Sequence, residues 1–248
     1  MEKPLVSIIM PSFNSEKTIA QSIESVLSQS YENWELIITD DVSTDSTCAI
    51  VERFSRFDSR IKLHCLDTNS GAGIARNNSI KYSNGRFIAF LDSDDLWTKD
   101  KLDVQIDFML LNKIPFSFSY YEKFTSDGSK GVVTAPETVG YNSMLYNNVI
   151  GCLTAIYDVS ILGKCYMPSI RKRQDLGLWL MILDKGFVAK CVPQVLAKYR
   201  LDTGMTRNKF TVLKYQWEFY REVLKFGCVR SFYTFFLYAL YGTVKYLK

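Results

Sequence analysis

The 248 residues are 47% apolar, which allows one sizeable core, or one domain with an appendage. The formal net charge of +4 hides an asymmetry: residues 207–248 hold eight Lys/Arg against two Glu, whereas residues 1–206 hold 22 against 24 Asp/Glu. One histidine, His64, excludes most histidine-based chemistry, and six cysteines without paired spacing exclude a zinc cluster and a compact disulfide framework. Carboxylates must then supply any acid–base chemistry. The thiols read as buried and reduced, and the apolar stretch Leu5–Met10, ended by Pro11, is too short for a secretory leader.

Leu5–Met10 reads as a buried strand, after which Ile19, Ile23, Val26 and Leu27 recur at helical spacing behind Asn14 and Ser15. Trp34–Thr39 is a second strand, followed by a helix from about Thr44 to Phe57 with Asp45 in its first turn. Ile61–Leu66 is a third strand, with His64 in a structural role. Gly73–Tyr82 is a third helix and Phe87–Leu91 a fourth strand. This βαβαβαβ order implies an α/β protein with a parallel sheet, which binds ligands at the carboxyl ends of its strands. The informative loops are therefore those after strands one, two and four.

The first two are Pro11-Ser12-Phe13-Asn14 and Asp40-Asp41-Val42-Ser43-Thr44-Asp45. Phe13 beside Asp41 suits a nucleobase, by stacking and by accepting a ring N–H; a core position and helix capping are the plainer alternatives. The third is Asp92-Ser93-Asp94-Asp95. In a strand that is just ending, Asp92 and Asp94 face one space while Asp95 supports them from behind. Few hard oxygen ligands suit Mg²⁺ or Mn²⁺, and adjacent carboxylates repel unless a cation is present. An acidic helix cap is the alternative. A calcium EF-hand loop fails, because Leu96 and Trp97 stand where an oxygen ligand and a glycine are required.

Farther along, Leu102, Ile106, Met109 and Leu110 mark a helix, Phe116–Tyr121 a strand and Ser126-Asp127-Gly128-Ser129 a turn. Ile150–Thr154 reads as either a core strand or a pocket wall. Leu176, Trp179, Leu180 and Leu183 form a helical stripe that fixes Asp175 at a helix start. The tail reads as two helices, 209–226 and 229–247, separated near Gly227 and rich in aromatics among Lys214, Arg221, Lys225 and Arg230. Its uncharged stretch Ser231–Val244 is too short to span a bilayer, so an interfacial pair drawn to anionic lipid is expected, or a pair packed on the preceding domain. No nucleic-acid recognition motif accompanies the charge.

Together, Val6–Asn14, Thr39–Asp45, Ala75-Arg76-Asn77 and Phe90–Asp95 resemble the nucleotide-binding half of the family 2 glycosyltransferases, which have the GT-A fold. The resemblance runs from about residue 5 to 110. It implies a mostly parallel central sheet flanked by helices, with a GT-A catalytic domain over 1–206 and a helical appendage over 207–248. The nucleotide half would be 1–110 and the acceptor half 111–206. By the same resemblance Pro11, Phe13 and Asp41 surround uracil, with Ser12, Asn14 and Ser93 also in the nucleotide site. Arg76 lies near the uridine diphosphate, Asp92 approaches the ribose or the metal, and Asp94, with Asp92 and Asp95, binds Mn²⁺ or Mg²⁺. Asp175 matches the second acid of the family's acidic pair, the base that deprotonates the acceptor in an inverting displacement.

Two departures stand out. Gln174 replaces the first acid of that pair, and Asp202 stands where many members carry histidine near the metal, with Arg200 and Arg207 expected to help hold phosphate around Thr203-Gly204-Met205. A nicotinamide dehydrogenase is disfavoured: Gly71-Ala72-Gly73 lies at the wrong turn and Arg76 occupies the third glycine position. The expected activity is hexose transfer, glucose or galactose favoured, from a UDP-sugar to a lipid-diphosphate-linked sugar such as GlcNAc-diphosphate-lipid. The product is β-linked, and the place is the cytoplasmic face of a bacterial membrane, in O-antigen or capsule assembly. A non-catalytic membrane-associated partner is the alternative.

Overall fold

The computed structural model describes residues 3–202 and 209–246. Its first part alternates β1 (Val6–Ser12), α1 (Ile19–Leu27), β2 (Trp34–Asp40), α2 (Thr47–Phe57), β3 (Ile61–Cys65), α3 (Ala72–Tyr82) and β4 (Phe87–Phe90). Every residue of β1, β2 and β4 is buried, as strands covered on both faces require. They pair in parallel in the order β3-β2-β1-β4. Helix α2 begins at Thr47 rather than Thr44, because Asp45 acts ahead of it. Its Oδ1 accepts the Thr47 N–H (2.9 Å) and hydroxyl (2.6 Å), and its Oδ2 accepts the Glu16 N–H (3.1 Å).

Then follow β5 (Leu96–Trp97), α4 (Lys101–Asn112), β6 (Phe116–Thr125), β7 (Gly128–Val133), β8 (Thr138–Val139) and α5 (Tyr141–Tyr146). After a 3₁₀ turn at Cys152–Thr154 come β9 (Ile156–Asp158), α6 (Val159–Leu162), α7 (Gln174–Asp184), β10 (Ala189–Arg200), α8 (Lys209–Glu218) and α9 (Cys228–Tyr246). All ten strands among the described residues join one sheet. Strand β9 lies antiparallel between β4 and β6, and so fuses the parallel half to the rest. Strand β10 runs parallel to β6 and antiparallel to β5. The expected turn is the β6–β7 hairpin, with Gly128 at φ +112° supplying the conformation that a side chain resists.

The sheet separates two apolar clusters. One gathers Val26, Trp34, Ile38, Leu102 and Ile106. The other is built round Trp179, whose ring meets Phe90 edge-on at 5.4 Å and Phe116 at 5.1 Å. Phe219, Tyr220 and Phe226 of the tail are buried in this second cluster, and the Tyr220 hydroxyl donates to Leu145 O at 2.6 Å. Between α8 and α9 the chain makes a π turn at Phe219–Val223. Lys225 then takes φ +52°, which breaks the helix ahead of Gly227. His64 stacks on Tyr82 with centroids 4.3 Å apart, a packing role. The reading of six buried thiols is corrected: Cys65, at the end of edge strand β3, and Cys228, the first residue of α9, are exposed.

Lys101 is fully buried, its ammonium donating to Gln105 Oε1 (2.5 Å) and Thr154 O (3.3 Å) and standing 4.9 Å from the Trp97 ring. Burial lowers its pKa to about 7. A lysine depressed in the folded state binds fewer protons there than in the unfolded chain, whose lysines titrate near 10.4, so stability rises with pH between those values. Urea unfolding at pH 7 and pH 9.5 is expected to show wild type gaining stability relative to Lys101→Met as pH rises. A constant difference would contradict the buried charge.

Candidate active site

The loops after β1 and β2 are stitched to each other. Asp40 accepts the Ser12 hydroxyl (2.9 Å), the Ser43 hydroxyl (2.6 Å) and the Ser43 N–H (2.7 Å). Asn14, at φ +47°, donates its N–H to Ser43 Oγ (2.8 Å) and accepts the Thr44 N–H (2.9 Å). Ser12 and Asn14 therefore shape the loop, while Pro11 is buried and Phe13 between them is 50% exposed. Asp41 is buried and holds the turn that starts α3, accepting N–H groups of Ser70 (2.7 Å) and Gly71 (2.8 Å). Asp40 was not singled out in the sequence. Its signal is an acid closing a fully buried strand, directly ahead of Asp41.

The acidic turn follows β4. Arg76 projects from α3, is buried, and donates from Nη2 to Asp92 Oδ1 at 2.5 Å. Burial alone would lower its pKa, but Asp92 and more distant acids raise it. Asp95 is 1% exposed, and its Oδ1 accepts the Arg200 N–H at 2.8 Å. Its Oδ2 is buried without a hydrogen-bond partner. Burial, then Asp92 and Asp94, push the Asp95 carboxyl well above the usual range. The Ser93 and Ser15 hydroxyls meet at 2.8 Å, tying this turn to the loop after β1.

Among the described residues, no three His, Cys, Asp or Glu side chains converge as a ready-made metal cage. Asp92 is drawn to Arg76, and Asp95 is held by β10 behind the turn. The donor set still fits a divalent cation with few protein ligands, because the orphaned Asp95 Oδ2 is what such an ion satisfies. Arg200, expected near phosphate, braces the turn instead: Nε donates to Asp94 O (2.7 Å) and Nη2 to Gln21 Oε1 (2.7 Å). Asp202 accepts the Ser126 N–H at 3.0 Å, on the β6–β7 turn. Arg207 and Thr203-Gly204-Met205 lie outside the described residues.

Helix α7 supplies the remaining acid. Its start packs on that of α3 so closely that a Cβ on Gly73 would lie 2.7 Å from Gln174 Cγ. Gln174 is thus largely buried as a spacer, and Asp175 beside it reaches a cavity of about 370 Å³ shared with Arg76, Asp92, Asp95 and Cys152. Asn148, also missed in the sequence, donates to Asp175 Oδ2 at 3.4 Å. Ile150–Leu153 line the cavity and run into a 3₁₀ turn at Cys152–Thr154 rather than a strand, held from behind by Trp97 Nε1 donating to Leu153 O at 2.8 Å. Tyr121 and Tyr199 close another side, with ring centroids 6.1 Å apart. Burial and the nearby acids push Tyr199 up to about 12.

The family model described as glycosyl transferase family 2 matches residues 7–152. The chain belongs to that family. It is 45% identical, over 94% of its length and 92% of the relative's, to the Escherichia coli UDP-Glc:alpha-D-GlcNAc-diphosphoundecaprenol beta-1,3-glucosyltransferase WfgD. Another E. coli protein of the same description, WfaP, is 40% identical over 98% of this chain and 95% of its own. Among solved structures, S. aureus TarS 1-349 in complex with UDP superposes with a TM-score of 0.70 at 21% identity, covering 94% of this chain and 70% of that one. The fold is GT-A. The protein is a glycosyltransferase, and Arg76, Asp92, Asp95 and Asp175, widely separated in sequence, line one cavity.

The contact between α3 and α7 can be tested without touching a charged group. Gly73→Ala forces Gln174, and with it the start of α7, to shift by a fraction of an ångström or more. Glycosyl transfer should fall by about 10²-fold, the cost of misplacing a reacting group by about 1 Å. Thermal unfolding should move by only a few degrees. Unchanged turnover would show that Asp175 is not positioned through this contact.

Proposed function

We propose that the protein is an inverting transferase that moves a hexose, glucose favoured, from a UDP-sugar to a lipid-diphosphate-linked sugar, GlcNAc-diphosphate-lipid favoured. The observation that carries this reading is the single cavity shared by the Asp175 carboxylate and the Arg76–Asp92–Asp95 group. The activity for which the relatives at 45% and 40% identity are named supports the choice of donor and acceptor. Asp175 takes the proton from the acceptor hydroxyl. That oxygen then bonds to the anomeric carbon on the face opposite the diphosphate, whose C–O bond breaks, leaving a β-linkage and UDP. The Arg76 guanidinium offsets charge growing on the departing diphosphate. Phe13, exposed between its stitched neighbours, stacks on the uracil, with Pro11 and Asp41 behind it.

Asp94, Asp92 and Asp95 would hold Mn²⁺ or Mg²⁺, which when bound supplies further positive charge to the diphosphate. Residues 1–206 form the transferase unit, with nucleotide and acceptor halves meeting near residue 110, and 207–248 are its means of reaching lipid. No helix of the described residues is long and apolar enough to cross a membrane. The lipid-linked acceptors named for the relatives support a place at the inner face of a bacterial plasma membrane, in assembly of a surface polysaccharide.

Asp175→Asn should leave UDP-sugar affinity within a few-fold and lower turnover by about 10² to 10⁴, the usual share of a positioned base. Mass spectrometry of products from a donor panel on synthetic GlcNAc-diphosphate-lipid measures both the loss and the donor. Full turnover would move the base elsewhere.

The metal is tested separately. Asp94→Ala should abolish Mn²⁺-dependent UDP binding in calorimetry, and Asp95→Ala should weaken it less. Undiminished transfer by wild type in excess chelator would remove the cation from the reaction.

A further inference from the structure

Helix α9 carries its polarity inside out. Toward the protein it turns Ser231 and Thr234, both buried, with Phe235 packed on the core. The two hydroxyls donate to Phe226 O (3.3 Å) and Arg230 O (2.7 Å), within the tail itself. Away from the protein it turns Val229, Phe232, Tyr233, Phe236 and Leu240, from 86% exposed at Val229 to 44% at Leu240. These recur at i, i+3, i+4, i+7 and i+11, one stripe of a 3.6-residue helix. A helix docked only on its own protein buries its large apolar side chains, so a second, outward apolar stripe requires a second cover.

Charge identifies the cover. Arg230 follows Val229 on the shoulder of the stripe, its guanidinium 3.8 Å from the Phe226 ring. Lys225 is exposed just ahead of α9, and Lys214 projects from α8, which packs on α9 through Trp217 against Phe232 (4.8 Å) and Phe235 (5.8 Å). The sequence from residue 207 holds eight Lys/Arg and two Glu. An aromatic stripe with cationic shoulders, on a helix that does not span, suits the interface of an anionic bilayer.

We propose that the Val229–Leu240 stripe of α9 lies among the headgroups of an anionic lipid bilayer and seats the enzyme on it. Helix α9, through a residue off the stripe, is tied to the start of α7. Arg173 Nη2 donates to the Tyr238 hydroxyl at 2.6 Å, with its guanidinium 5.6 Å from the ring, and Arg173 immediately precedes Gln174-Asp175. Docking α9 therefore fixes where the cavity stands relative to the lipid surface. The purpose of this arrangement rests on the lipid-linked acceptor of the proposed function, but lipid binding is measured without it.

The test is sedimentation of the full chain with phosphatidylglycerol/phosphatidylcholine vesicles. Phe232→Ser with Phe236→Ser should weaken partitioning by about 10²-fold, at low and high salt alike, since each buried ring contributes about tenfold. Tyr233→Ser with Leu240→Ser should act in the same direction, guarding against a fold defect in one pair. Lys225→Gln with Arg230→Gln should weaken it by about tenfold at low salt and little at high salt. All three should retain wild-type turnover on a short soluble acceptor. Equal sedimentation of wild type and both apolar variants would overturn the proposal. So would a wild-type dimer that becomes monomeric on Phe232/Phe236 substitution while neither binds vesicles, because the stripe would then join two copies. Vesicle binding that depends on the stripe, without transfer to GlcNAc-diphosphate-lipid, would uphold the surface and count against the proposed acceptor.

Discussion

The pair of Arg76, largely buried, and Asp92, half-buried, is the interaction on which the site depends. A guanidinium so far withdrawn from water needs a carboxylate beside it, and leaving it unpaired would be costly. The pair joins α3 to the turn after β4, so the helix that starts at Gly71 and the acidic turn cannot move independently. Asp41 reinforces this from the other side by holding the backbone of that same helix start. The nucleotide loops, the acidic turn and the first turn of α3 thus form one rigid piece. Two buried atoms are left unpartnered here, Arg76 Nε and Asp95 Oδ2, the latter an acid oxygen among acids.

That piece would be half a site without the contact between Gly73 and Gln174. The departure of Gln174 from the acid usual in the family has a physical reading: the position is packed against a helix backbone, where a charge would be costly and an amide is not. Gln174 Nε2 donates to Arg171 O at 2.9 Å, which keeps the side chain satisfied inside the chain's own turn. Asp175, one residue on, keeps its carboxylate in the cavity with Asn148 as a neighbour. Gln174 thus fits the helices together and borders the cavity, and Asp175 lines it one position on.

The parallel half was legible because its signals are local. Buried strands read as apolar runs, helices as 3.6-residue periods, and the loops between them as clusters of Ser, Asn and Asp. What those loop residues do was less legible: Ser12, Asn14 and Arg200 proved to hold neighbouring loops, since hydrogen bonds across 29 or 106 positions leave no local pattern. The same limit hid Lys101, an ordinary helix lysine in sequence that lies buried under the wall of the cavity. It also hid Asn148, and the antiparallel insertion of the short strand β9 that fuses the two halves.

The tail shows most clearly how composition and geometry divide the work. Its charge and aromatic content suit a surface role, and packing on the domain is compatible with that role, because the inward and outward side chains are different residues. Phe219, Tyr220 and Phe226 are built into the core beside Trp179, so the tail cannot detach without opening that core. Anchored there, α9 is free to present its large side chains outward. A flexible basic tail would hold the enzyme near lipid with no preferred orientation, whereas a helix fixed in the core and linked by Tyr238 to the start of α7 constrains orientation as well as distance. For an acceptor whose sugar is held at the bilayer surface, orientation is the scarcer quantity.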